Sequence, residues 1–301
     1  MKNDRILTWL GFIIISTVWG STWLAIKIGL QTVPPFLAAG FRFVVASAVL
    51  YGILRVRKLK ISFTPDARKV YFALGVLSFA IPFALAYWGQ QFIPSGLGSI
   101  LFCAFPLCVA LFSHFILVNE RLDAFKAVGT LLGFVGILVI FSPDLTLTDS
   151  SAFVGMAAVL LSAVMQAYAL VITKKHGQEV NTITMTFVGM VIGAVVLIVL
   201  GVVFEPMDSI VWSAGAVGSI LYLAVIGSVL TFVSYYWLLK RIDAVYLSLT
   251  SFINPIVAVI LGALILNERL ASTVMAGAML VLTGILVSNG KLLYGKIRAT
   301  T

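Results

Sequence analysis

The chain has 301 residues, 61% hydrophobic and 10% charged, with a formal net charge of +9 and a mean hydropathy of +1.12. A water-soluble domain carries roughly 25% charge, so the polar surface needed to coat a soluble body is missing. The basic excess calls for a membrane explanation rather than a nucleic-acid one.

The apolar runs are long enough for a bilayer, which takes roughly 20 residues per helix. They predict ten spans, at 6–30, 34–54, 70–91, 95–118, 122–141, 152–173, 181–204, 212–239, 244–266 and 270–289. The connections between them are short, leaving no room for a soluble domain. The first run follows the basic start "MKNDR". It is longer than the roughly 7–15 residues of a signal-peptide core and no small-x-small site follows, so a retained helix is expected. Within it Ser16, Trp19, Trp23 and Lys27 fall at intervals of three and four and share one face. A lipid-facing stripe would not collect serine and lysine, so this face is expected to line a cavity. Interface anchoring of the tryptophans and snorkelling of Lys27 are the alternatives.

The second run carries Arg42 about eight residues from its start, ~12 Å deep at 1.5 Å per residue. An arginine there costs at least ~2.5–3.5 kcal/mol on insertion scales and must face protein or a wet cavity. No aspartate or glutamate lies deep in any run to pair with it. It is either a structural arginine on the carbonyls of a broken helix or the attraction point for a substrate carboxylate. Tyr87 and Gln91 share a face near the end of the third run, and Ser95 and Ser99 do so in the fourth, which also contains Pro106. Cys103 and Cys108 are five apart on different faces and read as packing residues, neither disulfide nor metal site. Further on, Ser162, Gln166 and Thr173 align, as do Ser228, Thr231 and Tyr235, and Thr250 and Asn254. Small polar side chains often just bridge helices at ~0.6 kcal/mol each. A full amide such as Gln166 or Asn254 needs several partners and points to a cavity, and Pro255 frees a carbonyl beside Asn254.

Charge sets the orientation. With the N-terminus inside, the cytoplasmic segments hold all but three of the 20 Lys and Arg; Arg269 is outside, and Lys27 and Arg42 lie within spans. This is the positive-inside pattern, with both termini cytoplasmic and basic loops against anionic lipid headgroups.

The chain also repeats itself. "NERL" stands at 119–122 and again at 267–270; Gly129 and Gly136 are answered by Gly277 and Gly284, Tyr87-Trp88 by Tyr236-Trp237, and Pro106 by Pro255. Five spans separate the two copies of "NERL", so the halves 1–145 and 146–301 are expected to cross in opposite senses, as in secondary transporters built around a midplane site. Asn119 and Asn267 are placed to cap the following helix, with Glu120 and Glu268 favoured by its dipole. Glu120, Glu268, Pro106 and Pro255 are the candidate gating and capping residues.

The "WGSTWLAIKIGL" of the first run, the "PPFLAAGFRF" of the second, and the proline–"NERL"–glycine order closing each half resemble the EamA-type members of the drug/metabolite transporter superfamily over essentially the whole chain. The resemblance implies an all-α integral membrane fold of ten transmembrane helices, as two inverted five-helix repeats around a central cavity. It implies an inner-membrane exporter of amino acids or related metabolites, with sugar-phosphate antiporters as more distant relatives. The substrate-binding candidates are Trp19, Trp23, Lys27, Arg42, Tyr87, Gln91, Ser99, Gln166, Thr231, Tyr235 and Asn254, for a small molecule expected to carry a carboxylate. The alternatives are an antiporter of phosphorylated or other anionic metabolites, or a receptor or pore. An enzyme is not expected: His114 and His176 keep no catalytic company, no metal cluster or nucleotide loop is present, and no cofactor or nucleic acid is called for. Oligomeric state is left open, with a monomer sufficient.

Overall fold

In the computed structural model the described residues are 2–117, 124–141, 150–242, 244, 247, 250, 253–288 and 290. They form α1 (Lys2–Gly29), α2 (Pro35–Val56), α3 (Pro65–Gly89), α4 (Ser95–Ile116), α5 (Ala124–Phe141), α6 (Ser150–His176), α7 (Thr182–Phe204), α8 (Ala214–Leu239), α9 (Ile253–Leu266) and α10 (Ser272–Ser288). There is no strand among them. Seven helices have the length and hydropathy to cross a membrane, and the runs within α5, α9 and α10 are apolar but shorter. The ninth run was expected to start at 244, whereas α9 is described from Ile253. Large apolar side chains such as Phe115, Leu131, Val203 and Leu264 stand out from the bundle at 65–75% exposure, which suits a surface solvated by lipid tails rather than water.

Prolines shape the helices. Pro34 and Pro35 start α2, where a missing N–H costs nothing. Pro106 lies four residues after Phe102, where α4 is interrupted between Leu101 and Ala104. That offset is the one at which a proline ring strikes the preceding turn. Pro82 stands in the same relation to Ser78 inside Gly75–Ala80, the π-helical middle of α3. The matching π-helical stretch of α8, Val225–Leu230, has no proline. There the carbonyl of Gly227 is taken by the Thr231 hydroxyl at 2.7 Å and by Arg42 Nη2 at 3.0 Å.

Two packing patterns tie the halves of the sequence together. Every buried position of α7, from Thr184 to Gly201, falls 147 residues after a buried position of α2. The two helices also pack on each other, with Gly40 at close approach to Ile198 and Gly201 to Leu37. At the other contact, α5 and α10 cross antiparallel through glycine. A Cβ on Gly136 would lie 2.7 Å from the Gly277 carbonyl oxygen, and one on Gly284 would lie 2.5 Å from that of Gly129. Only glycine admits backbones this near.

Candidate functional site

A cavity of about 90 Å³ lies among α1, α2, α3, α4, α6, α8 and α9. Its wall is largely aromatic. Trp19 of α1 packs on Tyr235 and Phe232 of α8 at centroid distances of 4.8 and 5.2 Å, and Trp23 meets Phe102 of α4 edge-on at 5.7 Å. The i, i+4 pairs Phe83–Tyr87 on α3 and Phe232–Tyr236 on α8 supply matching faces, and each helix turns its pair inward just past its π-helical stretch.

Among the described residues Arg42 is the one charged residue on this wall, 2% exposed. Its Nε donates to Ser228 Oγ at 2.8 Å, Nη1 to the Tyr87 hydroxyl at 3.2 Å and Nη2 to the Gly227 carbonyl at 3.0 Å. The guanidinium lies over the Phe83 ring at 4.9 Å and the Phe43 ring at 5.5 Å, contacts that help hold a desolvated cation. No carboxylate pairs with it among the described residues. A guanidinium has five N–H donors; three are committed, leaving one on each terminal nitrogen.

Of the residues nominated from sequence, Trp19, Trp23, Arg42, Tyr87, Gln166, Tyr235 and Asn254 are on the cavity wall. Gln166 Nε2 donates to Ser162 Oγ at 3.2 Å. The Asn254 amide, oriented to donate, reaches the carbonyls of Ser16 at 2.8 Å and Thr250 at 3.0 Å. Lys27, Gln91, Ser99 and Thr231 lie elsewhere. Lys27 Nζ donates to the carbonyls of Gln90 at 2.7 Å and Ile93 at 2.9 Å, closing the end of α3. Lys174, 147 residues on, donates likewise to Leu239 at 2.6 Å and Ile242 at 2.8 Å, beyond α8. Gln91 is exposed, its Nε2 on the Trp88 carbonyl, beside a separate surface hollow. Ser99 and Thr231 spend their hydroxyls on carbonyls of their own helices, Gly96 and Gly227. Ser78, Phe83, Phe102, Phe105, Leu170, Phe232 and Tyr236 also line the cavity and are not singled out by polar spacing. The repeated i, i+4 aromatic pair before each "YW" was the available signal.

The gating and capping expectations change more. Glu120 lies outside the described residues. Glu268 does not serve the helix that follows it: its carboxylate accepts from Ser95 N at 2.9 Å, Ser95 Oγ at 2.7 Å and Gly96 N at 3.3 Å, capping α4 instead. Asn267 makes this possible by taking a left-handed conformation, φ 53°, which turns the chain toward α4. Glu205, just past α7, caps α2 in the same way, from Phe36 N at 2.6 Å and Leu37 N at 2.9 Å. Burial pushes its carboxyl up from the ordinary range, and those two amides pull it part of the way back. Sequence reading missed Glu205 because its partners are 168 residues away or more. Pro106 and Pro255 sit near the starts of the helical pieces from Ala104 and Ile253. Across the bundle, His176 Nδ1 and Asp66 Oδ1 are 2.9 Å apart. Cys103 and Cys108 are buried and not joined in a disulfide.

A profile described as the EamA-like transporter family matches the chain twice, over residues 7–142 and 153–290. The uncharacterized transporter YoaV of Bacillus subtilis is 32% identical over 279 residues, 93% of this chain and 95% of its own. Protein PagO of Salmonella typhimurium is 28% identical over 82% of this chain and 81% of its own. The uncharacterized inner membrane transporter YedA of Escherichia coli is 28% identical over 92% and 89%. A solved crystal structure superposes with a TM-score of 0.70, covering 94% of this chain and 96% of its own at 21% identity, a likeness of fold.

Proposed function

Because this chain belongs to the EamA-like transporter family, we propose that it is a secondary carrier that exports small carboxylate-bearing metabolites, a class that includes amino acids, by alternating access. In this reading ten spans form two inverted five-helix repeats, 1–145 and 146–301, in the inner membrane with both termini cytoplasmic. Glu205 and Glu268 then lie at the outer surface and the Asp66–His176 contact at the inner one. The two-fold profile match, the shared burial pattern of α2 and α7, and the glycine crossing of α5 and α10 support the repeat. The basic loops support the orientation.

The observation that carries the substrate reading is Arg42: a desolvated guanidinium on a cavity wall, held by neutral groups, with a free N–H on each terminal nitrogen. A carboxylate takes such a pair in bidentate fashion. Flux from proteoliposomes loaded with a panel of amino acids and phosphorylated metabolites identifies what moves. Arg42→Gln then lowers apparent affinity roughly tenfold or more, since a hydrogen bond to a charged group contributes about 1.5–3 kcal/mol. The loss is largest for free carboxylates and small for their amides, and Arg42→Lys restores it only partly, lacking the planar fork. Equal weakening of acids and amides would make Arg42 structural and end this reading.

A further inference from the structure

The cavity wall is built from paired positions in the two halves, and the pairs are not alike. Phe83 and Phe232 match at a shift of 149 residues, as do Tyr87 and Tyr236, so these two aromatic pairs are the same seen from either half. Several lining positions break the match, Phe105 against Asn254 and Trp19 against Gln166 among them, and two bear on the ligand. By the shared burial pattern, Arg42 of α2 corresponds to Gly189 of α7, which has no side chain. By the 149-residue shift, Tyr235 of α8 corresponds to Ala86 of α3, and both line the cavity. Arg42 and Tyr235 are thus polar functions that the matching position of the other half lacks.

Tyr235 is unusual. Its ring is clamped against Trp19, it is 3% exposed, and its hydroxyl has no hydrogen-bond partner among the described residues. Five other side-chain atoms share that condition, on Ser47, Tyr71, Gln90, Ser113 and Thr130, and none of those residues lines the cavity. A buried hydroxyl left without a partner is a standing cost, and one on the wall of a ligand cavity is relieved when a ligand brings the partner.

Charge narrows the ligand further. Arg42 puts one positive charge on the wall, and neither Asp nor Glu lines it among the described residues. A monocarboxylate neutralises it. An α-amino acid does not: with its carboxylate on the guanidinium its ammonium is held about 5 Å from the same charge, with no acid to receive it, and at low effective dielectric that repulsion is large. A second anionic group would find no second cation.

From the broken pairing we infer that the cavity takes a net monoanion, its carboxylate on Arg42, its uncharged body among the rings, and a neutral hydrogen-bonding group on the Tyr235 hydroxyl. This rests on the carboxylate reading of Arg42 and narrows it away from zwitterions.

Trp19 and Trp23 line the cavity, so quenching of tryptophan fluorescence in the purified full chain reports occupancy without the passive leak that complicates flux of weak acids. Two pairs of probes at pH 7 separate the claims. Leucine and 4-methylpentanoate share a skeleton and differ in the ammonium; the monoanion is expected to bind at least roughly tenfold tighter. Hexanoate and 5-hydroxypentanoate differ at the far end; the hydroxylated acid is expected to gain roughly three- to tenfold in the wild type. That gain should vanish in Tyr235→Phe, whose melting temperature should hold or rise because a buried unsatisfied hydroxyl is gone. Leucine binding as tightly as 4-methylpentanoate, with Arg42→Gln still weakening both, would overturn this inference and leave the carboxylate reading intact. A hydroxyl preference that survives in Tyr235→Phe would overturn the role of Tyr235. No quenching by any carboxylate, with Arg42→Gln silent, would remove both readings together.

Discussion

Glu268→Gln should loosen the end of the bundle at which Glu268 caps α4. The carboxylate accepts three hydrogen bonds from Ser95 and Gly96, reaching from the segment before α10 to the first turn of a helix in the other half of the sequence. Glutamine keeps the length and one acceptor oxygen but loses the charge. Hydrogen bonds to a charged group contribute ~1.5–3 kcal/mol against ~0.5–1.5 for neutral ones. The carboxylate also sits at a helix N-terminus, where a charge adds ~0.3–1 kcal/mol. Part of this is screened at a half-exposed site, leaving a net loss of about 1–1.5 kcal/mol, or roughly five- to tenfold in the open-to-closed ratio. The assay is the rate at which a membrane-impermeant thiol reagent, added from outside, modifies Thr22→Cys on the cavity side of α1, in a background with Cys103 and Cys108 replaced by alanine. The rate should rise five- to tenfold with Glu268→Gln. An unchanged or slower rate would refute the idea that this cap holds the outer end closed.

Glu205 should behave with the opposite sign. Burial raises its pKa where it is seated, so the seated state binds the proton more readily than one in which the carboxyl faces water, and falling pH favours the seated state. Labelling of Thr22→Cys, normalised to an exposed cysteine, should slow as outer pH falls from 7 toward 5, and Glu205→Gln should abolish that dependence. At the α5–α10 crossing, Gly284→Ala sets a Cβ 2.5 Å from both Gly129 O and Gly133 N, backbone atoms that cannot step aside; it should cost about 1–3 kcal/mol by thermal unfolding. Gly52→Ala meets nothing within 4 Å and should be neutral or slightly stabilising; equal effects would discount the crossing. Single cysteines at Ser62 and Lys175 should react only from the cytoplasm, and those at Ser150 and Asp208 only from outside; matching sidedness at Ser62 and Ser150 would end the inverted arrangement.

Hydropathy located the helices well because lipid permits so few alternatives: a backbone that cannot bond to water must bond to itself. The predicted 181–204 and 95–118 differ from α7 and α4 by one or two residues. The site was legible where physics isolates a residue, as with Arg42, whose burial without an acid demanded an explanation. It was not legible where one residue type serves two purposes. Lys27 shares a face with Trp23, yet its ammonium reaches across to Gln90 and Ile93; spacing along one helix does not report which neighbour stands opposite. Glu268 failed similarly, since its own helix was the natural beneficiary until the left-handed Asn267 redirected it. The aromatic wall escaped because rings at helical spacing are ordinary core.

The glycine crossing has a bearing on how such a chain could arise. Gly129 answers Gly277 in sequence and Gly136 answers Gly284, but in space Gly136 touches Gly277 and Gly129 touches Gly284. Each glycine meets the copy of the other, which is the signature of a self-complementary interface: two identical hairpin-sized pieces related by a half-turn make both contacts at once. The α5–α10 seam is thus what a homodimer of one such repeat would form, carried inside one polypeptide. Once fused, the repeats no longer need to be identical, and one can carry an arginine where the other has a glycine.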